Sequence, residues 1–255
     1  MAGLGSIHPE VVLAAAVAAG LYARALRWAP ARRSQAACFV GALLAMLVAL
    51  NGPLHDLSDW YLFSAHMVQH LVLTLVVPPL LLKGLPADMA DALLRPLLAR
   101  PLTAAGLRTV TRPLPAFSLY AVALVGWHLP APYNAALEMH GWHVVEHLVL
   151  VGTAVLGWWP VLSPSRALPA LPYAAQLLYL FVFGMPMTVV AAMITSAEQV
   201  LYPFYEAAPR ITDLTPLADQ RLGGLIMWVP SGFIPLAAFT IVYFRWVAAE
   251  ADETT

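Results

Sequence analysis

Apolar residues run in long blocks along this chain, separated by short stretches rich in proline, arginine and acidic residues. A bilayer core of about 30 Å takes about 20 residues of helix. Seven blocks approach that length: Val11–Trp28, Ala36–Leu54, Trp60–Leu82, Leu114–Leu129, Leu137–Leu162, Leu171–Ser196 and Leu222–Ala248. The fourth is the shortest, and Pro113 and Pro115 in front of it read as interfacial. Most prolines fall between blocks or in their terminal turns, whereas Pro78-Pro79, Pro186, Pro230 and Pro235 lie inside and predict kinks in the third, sixth and seventh helices. The pattern predicts an all-α fold: one polytopic domain over residues 1–255, a seven-transmembrane-helix bundle.

Composition agrees. Hydrophobic residues make up 61% of the 255-residue chain and charged residues 11%, against about 45–50% and about 25% in soluble domains. That excludes a water-soluble enzyme with a single buried core, and it excludes disorder. A formal net charge of −1 gives nucleic acid nothing to bind. The single Cys38 excludes a disulfide framework and paired-cysteine metal motifs. The start, MAGLGSIHPE, has no basic region ahead of its apolar run, so the first block reads as a retained span rather than a cleaved leader.

Lysine and arginine orient the bundle. Eleven of the thirteen fall between blocks one and two, three and four, five and six, or near the end; only Arg210 and Arg221 fall on the other side. The positive-inside rule therefore puts the N-terminus outside and the C-terminus in the cytoplasm. Residues 84–112 become the longest cytoplasmic loop, either solvated or holding a short interfacial helix. No internal repeat argues for an inverted-repeat transporter.

On this topology all eight histidines lie on the outer side. His8 precedes the first block, His55 lies between the second and third, and His128 ends the fourth. His66 and His70 occupy the outer half of the third, and His140, His143 and His147 the outer half of the fifth. His66/His70 and His143/His147 are i, i+4 pairs, each on one helix face about 6 Å apart. At 1.5 Å per residue His70 and His147 both sit about 15 Å past their helix starts. If the two helices face each other, four imidazoles meet at one level. Polar groups at that depth need partners, and neutral imidazole ligates copper, zinc, iron and nickel. The plain alternative, interfacial histidines bonded to one another or to carbonyls, fits an isolated histidine better than two matched pairs.

Other groups share that level. Gln69 and Glu146 each precede a paired histidine and are placed to orient a ring from behind; Glu146 could equally accept a proton. Asp219 opens the seventh block as ligand or helix cap. Met227, with Met67, Met185, Met187 and Met193, offers thioethers suited to Cu(I), although methionine in an apolar helix is usually packing. Gly223-Gly224 permits close helix approach. Cys38, at the cytoplasmic end, is too distant to join.

The segments HMVQHLVLTLVVPPLLLKGLP (His66–Pro86), WHVVEHLVLVGTAVLGWWPVL (Trp142–Leu162), LYPFY (Leu201–Tyr205) and DQRLGGLIMWVPSG (Asp219–Gly232) resemble those of the caa3-type cytochrome c oxidase assembly factor family, CtaG. The likeness covers spans three to seven in order. It implies a seven-helix protein of the bacterial plasma membrane that helps assemble a haem–copper oxidase, with copper as cargo and an oxidase subunit as recipient. His66, His70, His143 and His147 match the family's histidine segments, and Asp219 and Gln220 its DQ segment. The residues also allow a haem- or iron-binding membrane redox protein or oxygenase, and a transporter or metal-free scaffold. They leave the oligomeric state open, a homo-oligomer included.

Overall fold

Proline decides where many of the helices begin. Its missing N–H costs nothing in a first turn, where that donor has no intrahelical partner, and among the described residues it stands at the first or second position of nine helices. The computed structural model describes residues 5–253. The first four residues of the expected retained start therefore lie outside the described residues. The chain is 81% helix, with no strand among the described residues.

In chain order the helices are α1 (Pro9–Ala25), α2 (Arg33–Leu50), α3 (Gly52–Trp60), α4 (Phe63–Leu71), a π-helical turn at Val72–Val76, α5 (Val77–Gly84), α6 (Ala87–Leu98) and α7 (Pro101–Val110). Then come α8 (Pro113–Trp127), α9 (Pro130–Glu138), α10 (His140–Leu162), α11 (Tyr173–Phe183), α12 (Met185–Ser196), α13 (Pro203–Ala207) and α14 (Pro216–Glu253).

Among the described residues five helical stretches are long and apolar enough to cross a bilayer: Arg33–Leu50, Phe63–Gly84, His140–Leu162, Tyr173–Ser196 and Pro216–Asp252. A sixth results if α8 and α9, bent by 71°, form one span. The expected first span, α1, has 17 residues, about 25 Å of helix. The third and fifth blocks start later than their apolar pattern, because Trp60 ends α3 and Leu137 belongs to α9. Residues 84–112 hold two helices, α6 and α7, where a loop or one short helix was expected.

The proline sites resolve differently. Pro78 has no N–H for the carbonyl of Thr74, four residues earlier, and the Trp158 indole N–H donates to that carbonyl at 3.1 Å instead. The π turn lies directly before this site, and the Thr74 hydroxyl bonds to the carbonyl of His70 at 2.6 Å. The sixth block breaks at Gly184, just before Pro186. Across Pro230 and Pro235, α14 stays helical.

The burial pattern is that of a membrane bundle. Large apolar residues such as Leu148, Leu178, Phe181, Val189 and Phe233 face outward, while His66, His70, His128, Glu146, Gln69 and Asp219 are fully buried. The main core joins α4, α8 and α10 to α14, and a smaller one around Tyr22 and Phe39 ties α1 to α2 and α6. Close packing of α14 on α4 depends on Gly223: a Cβ there would lie 2.4 Å from the Phe63 ring and 3.1 Å from Met67.

Candidate metal centre

Two helices bring the paired histidines together. On α4, His66 and His70 contact through Nε2 atoms 2.8 Å apart. On α10, the His143 and His147 rings lie with centroids 4.3 Å apart, tilted by 55° to each other. Across the helix interface the His70 and His147 centroids are 5.5 Å apart, His66 and His143 5.4 Å, and His66 and His147 6.1 Å. One ligand atom from each of His66, His70, Glu146 and His147 lies within 4.8 Å of all the others.

That set differs from the expected quartet in one member. Glu146, expected behind a ring, stands inside the cluster with Oε1 3.7 Å from His70 Nε2. His143, Glu146 and His147 are spaced i, i+3, i+4, which places all three on one face. His143 lies one turn outward, its Nδ1 3.5 Å from Asp59 of α3.

Hydrogen-bond partners fix the ring tautomers. The Tyr205 hydroxyl, from α13, donates to the backbone carbonyl of Ser58 at 2.5 Å, so its oxygen accepts from His66 Nδ1–H at 2.8 Å. His128 Nδ1–H donates to the Leu124 carbonyl at 2.7 Å, so its Nε2 accepts from His70 Nδ1–H at 3.3 Å. Both His66 and His70 therefore present bare Nε2 lone pairs, facing each other across 2.8 Å. Such an arrangement is favourable only around a shared cation, a proton or a metal ion. Imidazole ligands in metal sites are held in this way, with the far N–H given to a carbonyl, carboxylate or hydroxyl.

The remaining inward atoms also lack partners. Among the described residues His143 Nε2, His147 Nε2 and both oxygens of Glu146 are buried without a hydrogen-bond partner. Buried polar groups are rarely left so, because each forfeits its solvation with nothing in return. Three imidazoles and one carboxylate offer a nitrogen-rich, singly anionic ligand set for a transition-metal cation.

The other expected residues take supporting places. Gln69 donates to the Ala49 carbonyl at 2.8 Å and to His55 Nδ1 at 3.0 Å, reaching away from the cluster to anchor α2 and α3. His55, with Nδ1 accepting, turns Nε2–H toward Asp59 at 3.3 Å. Burial pushes the Asp59 carboxyl up to about 7, against a 3.1 Å hydrogen bond from the Ser58 hydroxyl, and pushes His55 down to about 4. His140 is exposed, one turn beyond His143. Met227 is buried in the apolar core, and Cys38 belongs to α2 near the second core.

Asp219 turns out to be a cap, but of another helix. No side chain of its own caps α4. Asp219, in the first turn of α14, accepts the N–H groups of Phe63 and Ser64 at 2.8 and 3.3 Å and the Ser64 hydroxyl at 2.5 Å. It closes the start of the helix that carries His66 and His70. Its neighbour Gln220 accepts the N–H of Leu201 at 2.6 Å and donates to the Gln199 carbonyl at 3.3 Å, holding the segment that leads to Tyr205. Asp59 and Tyr205 are the residues that the histidine pattern alone did not reach. Tyr205 stood within the LYPFY segment, and Asp59 lay where a loop was expected.

Two uncharacterised proteins, one of Mycobacterium bovis and one of Mycobacterium tuberculosis, are each 28% identical over 189 residues, covering 66% of this chain. The match spans only 27% of the length of those relatives. No solved structure matches the chain. The model of the cytochrome c oxidase caa3 assembly factor family matches residues 17–249, nearly the whole chain, and the protein belongs to that family.

Proposed function

We propose that this chain binds copper as cargo at His66, His70, His147 and Glu146, with His143 adjacent, and passes it to a subunit of a haem–copper oxidase during assembly. The supporting observation is the pair of relays, through Tyr205 to Ser58 and through His128 to Leu124, that leaves the Nε2 lone pairs of His66 and His70 facing each other. Protein hydrogen bonds thus hold both rings in the ligating tautomer before any metal arrives. Glu146 adds one negative charge, which would cancel that of Cu(I) and make the buried ion tolerable. The set contains no thiolate, which favours release over permanent storage.

In this reading α1, α2, α4 with α5, α8 with α9, α10, α11 with α12, and α14 make seven crossings of the bacterial plasma membrane. In the same reading the cluster lies toward the outer face and the C-terminus in the cytoplasm, which the charge pattern supports. The chain acts as an assembly factor without a catalytic step of its own. The haem reading suits the geometry less well: the facing rings of His70 and His147, with centroids 5.5 Å apart, and of His66 and His143, 5.4 Å apart, leave no slot for a porphyrin between α4 and α10.

Metal analysis of the purified chain beside a His70→Ala/His147→Ala variant tests the proposal. Copper in the wild type and its loss from a variant that still inserts is the expected result. Equal copper in both, or a Soret band in the wild type, would overturn it.

A further inference from the structure

The buried cluster has polar groups leading to it from one direction, and they form a continuous series. Glu10, at the start of α1, is the outermost, 61% exposed at its side chain; its Oε1 lies 3.1 Å from Nδ1 of His8, itself 25% exposed. The His8 ring stands edge-on to that of His55 at 4.3 Å. His55 Nε2 is 3.3 Å from Asp59, whose side chain is 15% exposed, and Asp59 is 3.5 Å from His143 Nδ1. His143 then contacts His147 at 4.3 Å between centroids. Every step is shorter than the width of one imidazole plus a metal–ligand bond, and every member is a carboxylate or an imidazole.

The segment before α1 is fixed in place for this. Asp56 accepts the Gly5 N–H at 2.5 Å, the Ser6 N–H at 2.9 Å and the Ser6 hydroxyl. Asn51 accepts the His8 N–H at 2.7 Å, and Gly52 N–H bonds to the Ser6 carbonyl at 2.8 Å. Residues 5 to 8 are thus bound to α3 and to Asn51 just before it through five hydrogen bonds, and the result is to lay His8 over His55. A path of ligands needs such pinning, because ligand exchange requires the next donor to be in reach before the last one leaves.

Resting on the reading of the inner cluster as a copper site, we propose that Glu10, His8, His55, Asp59 and His143 form a loading path that carries the metal cation from the surface to His147 by successive ligand exchange. The ion keeps one oxidation state throughout. Each step breaks one metal–ligand bond as another forms; Glu10 supplies negative charge at the surface end that draws a cation inward, and Asp59 offers an oxygen ligand between His55 and His143.

A path differs from a binding site in its kinetics: obstructing it slows filling and emptying together and leaves affinity in place. The test is transfer of Cu(I) from a chromogenic chelator to the purified full chain, followed in time, with withdrawal by excess chelator as the reverse measurement. A His8→Gln/Glu10→Gln variant, altered only at the surface end, should load and unload at least tenfold more slowly, with unchanged stoichiometry and a Kd within twofold of wild type. His55→Gln should slow both directions in the same manner and serves as the check at the middle of the path. Wild-type rates in both variants would overturn the path while leaving the inner site intact. A weaker Kd carried by faster release alone would also overturn it, since that is the signature of a damaged site. Wild-type protein that takes up no Cu(I) would overturn the copper reading and the path with it.

Discussion

Tyr205→Phe removes one oxygen atom and tests the tautomer argument directly. In the native protein that oxygen accepts from His66 Nδ1–H at 2.8 Å and donates to the Ser58 carbonyl at 2.5 Å. Without it, a buried N–H and a buried carbonyl lose their partners, at about 1–3 kcal/mol each. His66 has an escape. If its proton moves to Nε2, it can donate to the bare Nε2 of His70, already 2.8 Å away. The variant then satisfies itself in the absence of metal, and a metal ion must break that bond to gain its first two ligands. Loss of an orienting partner of this kind costs about 10–100-fold in metal affinity, or about 1.4–2.7 kcal/mol. Competition for Cu(I) against a chromogenic chelator measures it. Tyr202→Phe is the matched control: Tyr202 is equally buried, but its hydroxyl donates to the backbone carbonyl of His128 at 2.8 Å and fixes no ring nitrogen. The expected result is a loss of about 10–100-fold in Tyr205→Phe and a far smaller one in Tyr202→Phe. Equal losses, or a Tyr205→Phe affinity within twofold of wild type, would refute the tautomer account.

Three further substitutions probe the scaffold. Gly224→Ala gains about 1 kcal/mol of helix propensity, but its Cβ would stand 2.2 Å from Thr195 Oγ1 and 2.9 Å from the Thr195 backbone nitrogen. Overpacking of about 1–3 kcal/mol should win, so it melts lower in detergent, whereas Gly152→Ala, with nothing within 4 Å, should melt at the wild-type temperature or above. Trp158→Phe leaves the Thr74 carbonyl with neither the indole nor Pro78 as donor and should cost about 1–3 kcal/mol, read as a lower thermal midpoint. Asp219→Ala uncaps α4 and should cost about 1–2 kcal/mol, with Asp219→Asn, which keeps one acceptor, falling between it and wild type in the same melt.

The histidine helices were legible because their information is local. An i, i+4 spacing fixes a face and residue count fixes a depth, so the meeting of His66, His70, His143 and His147 needed only that two helices be neighbours. Glu146 obeyed the same rule, through its i and i+3 relation to His143, and its place inside the cluster was readable from that spacing. What periodicity does not encode is contact between segments far apart in the chain. Asp219 read as either a ligand or a cap of its own helix, and it caps one 156 residues away; Asp59 lay in a segment whose polar residues suggested a loop, yet α3 turns it toward His143.

The resemblance of the DQ and LYPFY segments to a family therefore carried information whose physical content only the fold supplies. Asp219 and Gln220 are adjacent, and each reaches one end of the same histidine's support. Asp219 sets the first turn of α4, three residues before His66, and Gln220 sets the chain at Leu201, four residues before the Tyr205 that bonds His66 Nδ1. Substituting either should disturb one ring by a different route. Since both effects pass through His66, their consequences for Cu(I) affinity should be less than additive, as expected of residues acting on a shared partner. A double variant, Asp219→Asn with Gln220→Ala, whose loss equals the sum of the single losses would separate the two segments and dissolve the common purpose inferred for them.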